Sequence, residues 1–189
     1  MCPLRIQPDA RFNVLVTEDR PHDPGYWTHQ LPRLLEPQGV AAYVVHTGHE
    51  AIGLAEQLVI HAAVIDMATP FGENEPAGEG AEGWSGAAER SLAAELGRMA
   101  AAADEPAGLW LLELFRRLPN RPPVVVVHNT SYSQRQVDRL LRDALRLGAF
   151  SVLNKPVELE QLLRVFQRVV EKQYRGAWPA PPPPRPTNQ

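Results

Sequence analysis

Glu18 and Asp19 follow an apolar run at residues 12–17, Asp66 closes another at 62–65, and Lys155 with Pro156 follows a third at 150–154. If these runs are parallel buried strands, their carboxyl ends share one sheet edge, where open α/β folds bind their ligands. Three carboxylates and one ammonium would then converge. Carboxylates crowded in this way repel by roughly 4 kcal/mol per pair at about 4 Å, for an effective dielectric of about 20, and a divalent cation relieves that. Magnesium suits such a cluster, because it takes hard oxygen ligands and retains waters. These are the residue types that a magnesium-assisted phosphoryl-acceptor site requires.

The elements that must position them alternate along the chain. Residues 12–17, 40–46, 59–66, 123–127 and 150–154 read as strands, apolar and without helical period. Between them the spacing predicts helices over 26–36, 48–58, 109–118, 134–147 and 158–174. Pro32 sits in the first turns of the first helix or kinks it, and Gln38-Gly39 closes it. Apolar strands alternating with helices imply a parallel sheet covered on both faces. The count is that of a flavodoxin-like α/β fold, a doubly wound five-stranded parallel sheet flanked by five helices.

Composition bounds the setting. A length of 189 residues with 44% hydrophobic content allows one domain with appendages. The longest apolar stretches, such as 124–127, are far too short to span a bilayer, so no membrane association is expected. A lone Cys2 excludes an intrachain disulfide and a zinc cluster, and a reducing, cytoplasmic setting is expected. Residues 1–9 lack the apolar core of a secretory signal. The net charge of −3 is unevenly spread: 71–107 carries two basic and eight acidic residues, whereas 108–176 carries twelve basic and six acidic. Such asymmetry concerns partners or intramolecular contacts.

With the motifs in place, residues 12–175 resemble a receiver domain of the bacterial response regulators, interrupted by one long insertion. The resemblance rests on the acidic pair Glu18-Asp19, on Asp66 with Pro70 four residues later, on Gly148-Ala149 before the fifth strand, and on Lys155-Pro156. It implies the strand order 2-1-3-4-5 and a cis peptide before Pro156. It also implies that Glu18, Asp19, Asp66 and the Ala68 carbonyl bind Mg2+, that Asp66 accepts a phosphoryl group from a histidine kinase or phosphotransfer protein, and that Lys155 contacts the phosphoryl oxygens. Asp66 would be the nucleophile, forming an acyl phosphate while metal and lysine neutralise the transferring charge. The chain then reads as a signalling domain of two-component phosphorelays, not an enzyme.

Two positions depart from the family pattern. Its fourth strand ends in a threonine or serine that hydrogen-bonds the phosphoryl group, and the aligned residue here is His128, which could replace that donor or obstruct the pocket. Thr130 is a weaker replacement. The inward-turning aromatic of the fifth strand is Val152, which has no such rotamer switch. An alternative is therefore a pseudo-receiver acting as a phosphorylation-independent interaction module. A third reading, a magnesium-dependent phosphohydrolase, lacks the second aspartate two residues beyond Asp66, where Ala68 stands.

Domain boundaries follow: an extension over 1–10, the receiver over 11–176, and a proline-rich tail over 177–189 expected to be disordered. The insertion at 71–107 opens glycine-rich and acidic and continues into an alanine-rich stretch, where a helix is predicted over 87–103. It reads as an ornamental loop or as a lid or docking element beside Asp66. Arg135, Arg139, Arg142 and Arg146 line one side of the fourth helix, and Arg164, Arg168, Lys172 and Arg175 one side of the last. By the resemblance, this is the surface for a downstream protein partner or a homodimer, and its charge suits an acidic one. Nucleic acid fits poorly, because no aromatic residues interleave with the arginines and the chain is net acidic.

Overall fold

Five valine- and alanine-rich runs form one parallel sheet: β1 Phe12–Thr17, β2 Val40–Val45, β3 Ala62–Asp66, β4 Val124–His128 and β5 Ser151–Asn154. The spatial order is β2-β1-β3-β4-β5, as expected. The computed structural model describes residues 12–19, 27–72, 108–129 and 133–176. Helices α1 Trp27–Leu35, α2 Gly48–Gln57, α3 Gly108–Arg117, α4 Gln134–Arg146 and α5 Leu159–Gln173 alternate with the strands. The extension before residue 12, the insertion from residue 73 to 107 with its predicted helix, Thr130 and the tail from 177 lie outside the described residues.

Successive strand side chains point to opposite faces, so each strand feeds two cores. Leu15, Ile65 and Val126 pack with Leu111 and Phe115 of α3. Val14, Val16, Val64 and Val125 pack with Leu162 and Phe166 of α5 on the other side. Every residue of β3 and β4 is buried, which explains why these two read as unbroken apolar runs.

Several boundaries differ from the sequence expectation for physical reasons. β3 begins at Ala62, not at residue 59, because the preceding turn is bonded to Asn13 of β1. The Asn13 side-chain amide donates to the Val59 carbonyl at 3.0 Å, and the Asn13 N–H donates to His61 Nδ1 at 2.9 Å. β4 excludes Pro123 and takes in His128. Proline has no N–H for a ladder. α1 keeps Pro32 in its interior and ends in a 3-10 turn at Glu36–Gln38, after which Gly39 takes a φ of 76°. The apolar stripe of α4 is only partly covered: Ala144 is buried, whereas Leu145 is 65% exposed. The buried face of α5 is made by Leu162, Val165, Phe166 and Val169, and Leu163 is exposed at its edge.

The start of the insertion is fastened to α2. Gly48 N–H donates to the Pro70 carbonyl at 2.9 Å and His49 N–H to the Phe71 carbonyl at 3.1 Å, pairing two of the donors that a helix N-terminus leaves open. The Phe71 ring packs edge-on between His49 and Trp110, with centroids 4.7 and 4.8 Å away.

Candidate functional site

The carboxyl ends of β1, β3 and β5 bring Asp19, Asp66 and Lys155 together. The Lys155 ammonium donates to Asp19 Oδ1 at 2.7 Å and is ion-paired with Asp66 Oδ2. All three side chains are largely buried, with exposures of 11% for Lys155, 14% for Asp19 and 4% for Asp66. The position of Lys155 follows from backbone pairing, since its N–H donates to the His128 carbonyl at 2.8 Å as β5 runs beside β4. The peptide between Lys155 and Pro156 is cis, as the resemblance implied.

Asp66 is held on every side. Its N–H donates to Thr17 Oγ1 at 2.9 Å, its carbonyl accepts from Thr69 N–H at 3.1 Å, and its Oδ1 accepts from Ala68 N–H at 3.0 Å. Burial pushes its carboxyl up to about 6, against the hydrogen bonds and charge of Lys155 and the Ala68 amide, while Asp19 adds to the rise. At neutral pH the group is ionised. It is also destabilised in that state, which suits a nucleophile and a cation ligand.

Glu18 lies apart from this cluster. Its N–H donates to the Val45 carbonyl at 3.0 Å, and its carboxylate is buried beside Thr28 and near His29 and His46. Burial raises its pKa, opposed by Thr28 and the two imidazoles and reinforced by Asp19. Both carboxylate oxygens are enclosed away from solvent. Two carboxylates, Asp19 and Asp66, thus face one ammonium with the acidic Glu18 next in sequence to Asp19, and their hard oxygens fit a divalent cation. Among the described residues no three His, Cys, Asp or Glu side chains are grouped closely enough to hold a metal ion by themselves.

His128 is 2% exposed at the end of β4, and its Nδ1–H donates to the Asn129 carbonyl at 3.1 Å. Val152 is half-buried on the α3 side of the sheet. Arg135, Arg139, Arg142 and Arg146 are exposed, as are Arg164 and Arg168. Arg139 pairs with Asp143 at 3.7 Å and Arg164 with Glu160 at 2.6 Å, each one turn away on its own helix. An open groove of about 460 Å³ between α1, β1 and α5 is lined by Leu35, Val40, Phe166 and their neighbours, and none of the acidic cluster borders it.

Thr17 and Thr69 are the residues that the sequence reading missed. Their hydroxyls meet at 2.7 Å in a fully buried position beside Asp66. The one signal for them is a hydroxyl residue closing β1 and another three residues after the acidic end of β3.

No protein-family model matches the sequence, and no curated protein is significantly similar to it. Solved structures share its fold. A response regulator receiver domain protein, described as CheY-like, from Methanospirillum hungatei JF-1 is 17% identical with a TM-score of 0.56, over 88% of this chain and 98% of that one. A two-component response regulator from Clostridium difficile is 16% identical with a TM-score of 0.55, over 86% and 98%. A response regulator protein from Burkholderia pseudomallei, described with a phosphorylated aspartic acid, calcium ion and citrate, is 20% identical with a TM-score of 0.53, over 88% and 73%. The chain has the receiver fold.

Proposed function

We propose that the protein is a receiver of two-component signalling that accepts a phosphoryl group on Asp66. The observation that carries this reading is the buried cluster in which one ammonium, Lys155, bonds Asp19 and Asp66 at the carboxyl edge of a receiver-fold sheet. In the reaction an Asp66 carboxylate oxygen attacks phosphorus, the bond from phosphorus to the donor breaks, and the leaving group departs with its electron pair. Lys155 balances charge on the transferring group. Asp19, Asp66 and the Ala68 carbonyl would hold Mg2+, with Glu18 adding negative charge behind them. The metal supplies further neutralisation of the phosphoryl oxygens.

The donor would be a histidine kinase or phosphotransfer protein, and the exposed arginines of α4 and α5 suit a downstream acidic protein surface. Incubation with acetyl phosphate and Mg2+, followed by intact mass measurement, tests the reading. The wild-type chain gains one phosphoryl group and Asp66→Asn gains none. A chain that stays unmodified under these conditions sinks it. A second reading, a pseudo-receiver that works by contact alone, is favoured by one observation, the buried imidazole of His128 where receivers carry a hydroxyl. It expects partner binding that Asp66→Asn leaves unchanged.

A further inference from the structure

The parallel pairing of β1 with β3 ends at Val16 and Val64, two residues before Asp66. On its other edge Asp66 stays in register with Val127 of β4, and Met67 N–H donates to the Val127 carbonyl at 2.8 Å. The acceptor residue therefore sits where the sheet is still paired on the β4 side but has parted on the β1 side. A buried N–H facing such a gap would go unpaired. Here the Thr17 hydroxyl takes it, at 2.9 Å. That same oxygen meets Thr69 Oγ1 at 2.7 Å, and Thr69 N–H closes the turn back onto the Asp66 carbonyl at 3.1 Å. Exposures of 1% for Thr17 and 0% for Thr69 keep water from competing for these bonds.

We propose that Thr17 and Thr69 are positioning residues for phosphoryl acceptance: their shared hydrogen bond ties the Asp66 backbone to β1 and to the turn carrying Ala68. The proposal rests on Asp66 being the acceptor. The carboxylate must meet phosphorus, Lys155 and the cation at once, and displacements well under 1 Å matter at such a site. Neither threonine touches the transferring group. Each acts by fixing where Asp66 stands.

Valine keeps the shape of threonine and loses the hydroxyl, whereas serine keeps the hydroxyl and loses a methyl group. This separates positioning from packing. With acetyl phosphate and Mg2+, Thr17→Val is expected to lower the maximal rate of Asp66 phosphorylation about tenfold and to raise the half-saturating Mg2+ concentration, because Asp66 is both acceptor and cation ligand in this reading. Thr17→Ser stays close to the wild-type rate. Thr69→Val slows the reaction less, and the double valine variant is no slower than Thr17→Val, because both changes break one linkage. Should Thr17→Val fail to fold, Thr69→Val and Thr69→Ser carry the same comparison, read together with the NMR shift of the Asp66 amide.

A wild-type rate in the valine variants, or serine variants as slow as valine ones, overturns the proposal while leaving Asp66 the acceptor. If the wild-type chain forms no adduct, the acceptor reading falls and this one falls with it.

Discussion

In the proposed reaction Asp66 acts through its charge state. Burial raises its pKa to about 6, so the nucleophile is lost as pH falls through that value. Phosphorylation by acetyl phosphate is expected to slow over roughly pH 7 to 5, and saturating Mg2+ moves the midpoint lower because the cation favours the ionised form. Initial rates across that range at two Mg2+ concentrations check both statements. Lys155 is its counterpart, bonded to Asp66 and Asp19 together. Lys155→Met leaves two largely buried carboxylates facing each other and is expected to cost about 3–5 kcal/mol in chelator. Magnesium that binds only the folded state recovers part of that loss, so the melting temperatures of Lys155→Met and wild type lie closer together with the ion than in chelator. A Lys155→Met protein as stable as wild type in chelator would show that the pair contributes little.

At the scale of elements, the site depends on how α3 is seated. Gly108 opens α3 directly over the residue after Asp66: an added Cβ would lie 2.6 Å from Met67 Cα and 3.1 Å from the Met67 carbonyl oxygen. Backbone cannot move aside as a side-chain tip can. Gly108→Ala is expected to destabilise by about 1–3 kcal/mol and to slow phosphorylation by shifting the turn at Asp66. Gly53 in α2 has nothing within 4 Å of such an atom, so Gly53→Ala is expected to stabilise by about 0.4–1 kcal/mol. Denaturant melts of the two variants give opposite signs if this account holds. Sequence period located each described helix, but it could not say how well an apolar stripe is covered. Leu145 lies on the apolar side of α4 and is still 65% exposed, because covering it depends on a neighbour and not on spacing.

For the molecule as a whole, residues outside the site tie β1 to the chain's later elements. His61 accepts the Asn13 N–H on Nδ1, its ring stacks on Phe12 at 5.2 Å, and its carbonyl accepts from the Tyr174 hydroxyl at 2.6 Å. Burial lowers the His61 pKa from 6.5, so below that value the unfolded chain binds the proton more readily than the folded one. Stability from this group is present above about pH 6.5 and falls as pH drops below it. The raised Asp66 works in the opposite direction, since its folded form holds its proton longer. The difference between wild type and His61→Gln isolates the histidine: the stability gap between them is expected to shrink from pH 7.5 to pH 5.5 by about as much as the lost linkage. A constant gap across melts in that range would remove His61 from the account.

The succession of strands and helices, and the acidic and basic residues at the strand ends, are legible from neighbouring residues alone. Apolar period and turn chemistry are local, and local physics is written in neighbouring residues. The sheet order and cis Lys155-Pro156 came from a resemblance carried by a few spaced residues, and the fold agrees with both. Long-range packing makes Lys155 bridge Asp19 and Asp66 while Glu18 lies beside Thr28, and it lets two threonines 52 positions apart share a hydrogen bond beneath Asp66. Those choices depend on strand register and on which buried polar groups find partners. Neither is encoded in the spacing of any single segment.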